Sequence, residues 1–356
     1  MMRRQRRRSA LVALALTAAL ALSACGGRGG GAAAPADDGG GGGGGETFTI
    51  KFSHVVTPAT PKGQAADKFK EIVEEKSEGR ITVEVYPNSE LYGDKDELQA
   101  LQSNSVQMLA PASAKFTTLA PGIQVLDLPF LFDSVEDIPA VVSPDSAAGK
   151  AIFENEDLAA NKVKVVGLWD NGLKQLSSNS EMRTPDDLNG LSFRIQPSDV
   201  LKSQFDSWGA ASTPLAFAEV FNALQQGVVD GQENPYSNIE SQNMHTVQSS
   251  ITESKHGYIG YVLVINTDFF DSLPDDLQEV VQESADEAST YNREVAADLN
   301  AEAKATIEEA GTTEIIELTD EERQVFKDAV VPSVWEQYAD VIGEELVADL
   351  LAEQDQ

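Results

Sequence analysis

Cysteine is almost absent from this chain. Cys25 is the only one in 356 residues, so no internal disulfide can brace the fold. Histidine is nearly as scarce: His54, His245 and His256 stand at no metal-ligand spacing. The motifs HExxH, GxSxG and GxxxxGK[ST] do not occur, which leaves out zinc-protease, serine-hydrolase and phosphate-loop chemistry. Positive charge is short as well. Against 58 Asp and Glu stand 26 Lys and Arg, for a formal net charge of −32. Such a surface repels nucleic acid. The expectation is a protein that is not an enzyme and carries no cofactor or metal. Any small anionic ligand has to find local positive charge that overrides the surrounding field, so each buried Lys or Arg is a candidate.

What the chain does have begins with an address. MMRRQRRR is a basic start, 9–22 is a short apolar core, and LSAC ends at Cys25; residues 1–24 therefore read as a signal peptide. The apolar run is too short to span a bilayer comfortably as a retained helix. Leu22, Ser23 and Ala24 before Cys25 resemble a lipoprotein signal, in which the thiol takes a diacylglycerol group; simple secretory cleavage is the other reading. Removing 1–24 removes five arginines and no acid, so −32 becomes −37. Behind Cys25, residues 26–45 are Gly, Ala, Pro and Asp with a single Arg, show no hydrophobic periodicity, and with Cys25 (25–45) read as the lipidated end and its tether. An extracytoplasmic location follows, in the periplasm or on the outer face of the cell membrane, with membrane contact through the N-terminal lipid alone.

From residue 46 strand and helix patterns alternate. TFTIKFS (47–53) reads as a strand, 64–76 as a helix with Phe69, Ile72 and Val73 on one side, 80–86 as a strand, 95–103 as a helix and 106–110 as a strand. This βαβ order predicts an α/β fold with a parallel sheet covered by helices, and ligands at the carboxyl ends of strands. The loops so selected include His54, Ala112-Ser113 and the segment after the 163–169 strand, where Asn171-Gly172 predicts a turn. DLPFLF (127–132) reads as core. HGYIGYVLVI (256–265) is a continuous apolar strand, and 274–310 keeps helical spacing for roughly 55 Å at the standard rise.

The most informative stretch is 191–239, LSFRIQPSDVLKSQFDSWGAASTPLAFAEVFNALQQGVVDGQENPYSNI. Its opening strand delivers Arg194, whose planar fork of donors suits a carboxylate; a solvated sheet-edge arginine is the plainer reading. After the helix predicted over 214–226, a short strand leads to Asn234, whose amide both donates and accepts. Glu233 repels an anion and is expected to turn away into structural hydrogen bonds.

RIQPSDV, followed by FAEVFNALQQGVVDGQENPYSNI, resembles the substrate-binding proteins of tripartite ATP-independent periplasmic (TRAP) transporters, over about 48–336. Within that family it is most similar to the branch that takes C4-dicarboxylates such as malate, fumarate and succinate. The resemblance implies a two-lobed, type II periplasmic-binding-protein-like fold with a long helix spanning both lobes. Lobe one is then 46–171 with 260–299, and lobe two 172–259 with 300–356. It also implies a small carboxylate as ligand and an ion-driven pair of membrane permease subunits as partner. Carried over residue by residue, it puts Arg194, Asn234, Phe217 and His54 in the cleft, with Phe217 over the ligand or in the core. At Lys174 the family often has an arginine. The lysine either reaches the ligand with looser geometry or lies at the surface. Another acid, such as a keto acid, lactate or a sugar acid, and service to a sensor kinase are the alternatives.

Overall fold

The computed structural model describes residues 46–354; the signal, lipidation and tether expectations lie outside the described residues. Alternation in the first segment yields strand β1 (Phe48–Ser53), which buries Ile50 and Phe52, and it pairs in parallel with β2 (Ile81–Tyr86), which buries Ile81 and Val83. Between them the helix Pro61–Lys76 starts on Thr60, whose hydroxyl accepts from the Gly63 amide, and lays Phe69 and Val73 into the core. Strand β3 (Met108–Leu109) adds to the other side of β1.

The next strand, β4 (Val163–Leu173), does not stop at the expected Asn171-Gly172 turn. The pairing of β4 with β10 (Tyr258–Asn266) skips Asn171, and Gly172 takes φ +98°, so the dipeptide forms a bulge inside a continuing strand. β4 leaves its sheet at Leu173 and becomes β5 (Gln175–Ser178) of a second sheet one residue later. Strand β10 re-enters the first sheet at Tyr258, opposite Leu173, and must run the other way. The first sheet, in order β2-β1-β3-β10-β4, is therefore mixed and not parallel as expected.

The second sheet has the order β11-β9-β5-β8-β6-β7, with β6 (Ser192–Ile195), β7 (Ala211–Pro214), β8 (Gly231–Asn234), β9 (Ser250–Glu253) and β11 (Glu314–Glu317). The predicted 214–226 helix is shorter in fact. Pro214 closes β7, a 3₁₀ turn covers Phe217–Glu219, and the helix proper is Val220–Gln225.

Two lobes result, and one helix belongs to both. Asp275–Ala310 has 36 residues, about 54 Å at 1.5 Å per residue. Its Leu277, Val281, Ala285 and Ala288 enter the core of the first sheet with Phe52 and Phe69, while Ala303 and Ile307 enter the core of the second with Phe217, Val220 and Ile251. Asn300 sits near the crossing, where its amide donates to the Asn171 carbonyl and accepts from the Ser237 amide. The DLPFLF segment is buried as its composition predicts, and Trp335 of the C-terminal helices donates to the Pro129 carbonyl at 2.9 Å.

Strand β8 ends at Asn234 and lies between β5 and β6, with Gly231 where a Cβ would overlap the Phe193 ring and the Ser177 carbonyl. Gly231→Ala is expected to cost about 1–3 kcal/mol from overpacking. A lowered denaturant midpoint in equilibrium unfolding is the check, and an unchanged midpoint contradicts it.

Candidate functional site

Arg194 stands on β6, and Asn234 ends the neighbouring β8. Both point into a cavity between the sheets that is also lined by Val55, Val56, Lys62, Asp94, Glu97, Ala112, Lys115, Gln196, Phe217, Asn238 and Tyr261. The remaining void is about 20 Å³, room for about one water.

Each wall has a local cause. Arg194 Nε and Nη2 donate to the Leu215 carbonyl at 3.0 and 2.8 Å, which fixes the guanidinium plane, and the residue is 1 % exposed. Burial works against its charge, and Asp94 is the leading counter-charge. Asn234 is held at both ends of its amide: Nδ2 donates to Gln232 Oε1 at 2.5 Å, and Oδ1 accepts from Asn238 Nδ2 at 2.9 Å. From the first lobe, Lys62 enters at the start of its helix. Its Nζ lies 3.9 Å from the centre of the Tyr261 ring and donates to the Ala110 carbonyl at 3.1 Å.

Asp94 Oδ2 accepts from the Phe217 amide at 2.5 Å, and its Oδ1 pairs with Lys115 at 3.0 Å. Burial opposes ionisation of Asp94, but Lys115 and the Phe217 amide outweigh it and hold the carboxyl below its ordinary range. Lys95 Nζ meets both Glu219 oxygens at 2.9 and 3.1 Å on the exposed side.

Of the five ligand residues expected from sequence, Arg194, Asn234 and Phe217 line this cavity. His54 does not. It is buried, and burial together with Lys62 lowers its pKa to about 3, so the ring is neutral. Lys174 is also not at the cavity. It lies buried in an ion pair with Glu233 Oε1 at 2.8 Å, the two side chains being 1 % and 0 % exposed. Glu233 Oε2 accepts from His256 Nε2 at 2.8 Å, and Ser254 Oγ donates to His256 Nδ1 at 2.7 Å. Burial keeps His256 neutral, and Glu233, despite its burial, is pulled down to about 2 by Lys174 and His256. Glu233 thus turns into structural bonds while its neighbour Asn234 faces the cavity, as strand alternation requires.

Lys62, Asp94, Glu97, Lys115 and Tyr261 are site residues that the sequence reading missed. Nothing in their spacing marks them, since they come from two helix starts, a loop, a 3₁₀ turn and a strand. A wider groove of about 430 Å³ runs along the long helix, but two of its three cations are already spent: Arg293 pairs with Asp170 at 2.9 Å and Lys304 with Glu253 at 2.8 Å. Arg194 and Lys62, in contrast, have no carboxylate within ion-pair distance among the described residues. No group of three or more His, Cys, Asp or Glu that could hold a metal occurs among the described residues, and none of their helices is long and apolar enough to cross a membrane.

Residues 52–340 match the model of the bacterial extracellular solute-binding proteins, family 7. The chain belongs to that family. It is 44 % identical over 308 residues to the C4-dicarboxylate-binding periplasmic protein DctP of Rhodobacter capsulatus, covering 86 % of this chain and 91 % of that one. To the C4-dicarboxylate-binding protein DctB of Bacillus subtilis it is 38 % identical, covering 86 % of each. Among solved structures it is similar to a TRAP periplasmic solute-binding protein of Shewanella oneidensis with bound succinate, at TM-score 0.82 and 40 % identity, over 86 % of this chain and 99 % of that one. A Pseudomonas aeruginosa counterpart with bound L-malate gives TM-score 0.78 and 39 % identity, over 82 % and 100 %. The family resemblance and the two-lobed fold with its shared helix, both read from sequence, are borne out.

Removing one partner of the buried Lys174–Glu233 pair strands the other. Glu233→Ala is expected to cost about 3–5 kcal/mol. Because the folded pKa of Glu233 lies below its ordinary 4.5, its stabilising contribution is present above that value and fades as pH falls towards about 2. Urea midpoints measured down this acid range fall more steeply for the native protein than for Glu233→Gln; parallel slopes would refute the assignment.

Proposed function

We propose that this solute-binding protein captures a C4-dicarboxylate dianion, such as succinate, malate or fumarate, and delivers it to the membrane permease of a TRAP transporter. The observation that carries this reading is that two buried cations without carboxylate partners, Arg194 and Lys62, line one cavity from opposite lobes. A single carboxylate satisfies one of them. Two carboxylates on a short carbon chain satisfy both, and each gains the strength of a charged hydrogen bond in a place shielded from water.

In this reading Arg194 holds one carboxylate with its fork, Asn234 orients the ligand, Phe217 covers it, and Lys62 and Lys115 receive the far end. Lys174 and His54 act behind the site. Lobe one comprises 46–171 with 260–299, and lobe two 172–259 with 300–356. With about 20 Å³ left between them, the lobes must part to admit a ligand and close again over it. The ligand drives closure only through tighter binding to the closed form. The relatives named for C4-dicarboxylates and the neighbours with bound succinate and L-malate support this choice of ligand. The body works outside the cytoplasm, tethered through a lipid on Cys25, and performs no chemistry on what it binds.

A thermal-shift panel tests the ligand class. Succinate, malate or fumarate at one hundred times its dissociation constant is expected to add about 2.7 kcal/mol to stability. Arg194→Ala is expected to abolish that gain. A panel in which only monocarboxylates or sugar acids raise the melting temperature rules out the dicarboxylate, and stabilisation retained in Arg194→Ala removes the arginine from its role.

A further inference from the structure

Glu97 is an acid of the cavity that the fold leaves unmatched. It is 2 % exposed, pairs with no cation within ion-pair distance among the described residues, and its Oε1 has no hydrogen-bond partner. Asp94, the other lining acid, is fully engaged by Lys115 and the Phe217 amide. The charged groups acting on Glu97 are Asp94, Lys62, Lys115 and Asp96; Arg194 and Tyr261 line the same cavity, and neutral His54 lies behind Lys62. An unpartnered carboxylate cut off from water neutralises itself by taking a proton. Burial, reinforced by Asp94, pushes the Glu97 carboxyl up to about 8. A second anion arriving beside it acts in the same direction.

We propose that Glu97 meets the ligand as the neutral acid, donating from its carboxyl to the carboxylate received by Lys62, so that capture of a dicarboxylate above neutral pH takes up one proton. The inference rests on the dicarboxylate reading of this cavity. The proton comes from solvent, stays on Glu97, and no bond of the ligand changes. Glu97 is then a residue that selects for an acceptor at the far end of the ligand: a carboxylate oxygen satisfies the acid, whereas a methyl group leaves it stranded. It also makes affinity fall with alkalinity. Above the pKa of the free protein the acid must be reprotonated before the ligand fits, and the dissociation constant rises by up to about tenfold per pH unit.

Lys62 is pulled down to about 8 by burial and titrates in the same range, so the pH profile alone does not separate the two groups. Infrared difference spectroscopy does. At about pH 9, where free Glu97 is largely ionised, adding succinate to the full chain is expected to bring up the carbonyl stretch of a protonated carboxyl. The band is expected to keep its position when the succinate carboxyls carry a heavy isotope, and to be missing in Glu97→Gln. A band that moves with the labelled ligand puts the proton on the succinate and overturns the proposal, as does a band that survives in Glu97→Gln or no band at all. Loss of succinate binding by Glu97→Gln in mildly acidic buffer also counts against it, because the amide keeps a donor at that place. If the native protein binds none of succinate, malate and fumarate in that buffer, the dicarboxylate reading itself fails, and this inference with it.

Discussion

A guanidinium cannot shed its charge, and in this protein one is buried inside a chain of formal charge −32. Much of the architecture around Arg194 answers that constraint. The Leu215 carbonyl takes two of its donors and sets its plane, and Asp94 and Glu233 supply opposite charge from a distance without touching it. A carboxylate in direct contact would make the arginine a structural ion pair, of the kind seen at Lys174. Holding the acids off leaves the fork compensated enough to be buried and unsatisfied enough to bind. The residue sits on a strand paired on both sides, with β7 and β8, so its aim comes from the sheet and not from a loop.

The joint between the lobes is built for the same end. Chain crosses it at Leu173–Gln175, at 254–257 and along the long helix. Lys174 and His256 sit on the two strand crossings, and both bind the same Glu233 carboxylate. The Lys174 amide also donates to the Gly257 carbonyl at 2.7 Å, so the crossings are tied backbone to backbone as well as through charge. Next to Glu233 in sequence is Asn234. A movement at the joint therefore reaches the candidate cavity within one residue of β8, while the amide chain Asn238–Asn234–Gln232–Ser177 keeps that strand's polar groups in fixed register.

Legibility in the sequence followed periodicity. Strands that bury alternate residues, such as β1 and β2, and helices with an apolar stripe, such as Asp275–Ala310, were readable because burial on one face imposes a pattern. β5, β7 and β9 were not: QLSS, ASTP and SITE are short and largely polar, and only sheet partners far along the chain make them strands. The antiparallel insertion of β10 was equally hidden, because the direction of a strand depends on where the chain last left the sheet. In the site, Arg194 and Asn234 could be found because a linear motif carries them. Lys62, Asp94, Glu97 and Lys115 lie on separate segments, and each looks like one more surface charge until the lobes are brought together. Lys174 illustrates the converse. The family resemblance pointed it to the ligand, but the fold had an acid closer to hand.

That substitution has an electrostatic consequence for the cavity. Glu233 acts on Arg194 and is buried without access to screening solvent, so left alone it would offset part of the arginine's charge. Lys174, at 2.8 Å, cancels it locally, and neutral His256 satisfies its second oxygen without adding charge. The charge balance of the candidate cavity is then set by its lining residues: Lys62, Lys115 and Arg194 against Asp94, with Glu97 neutral near pH 7. Three cations against one anion leave two positive charges in an otherwise acidic body, the balance a dianion requires. A lysine in place of an arginine at 174 suits this task, since a compact point charge neutralises a neighbouring carboxylate without extending a fork of further donors towards the site.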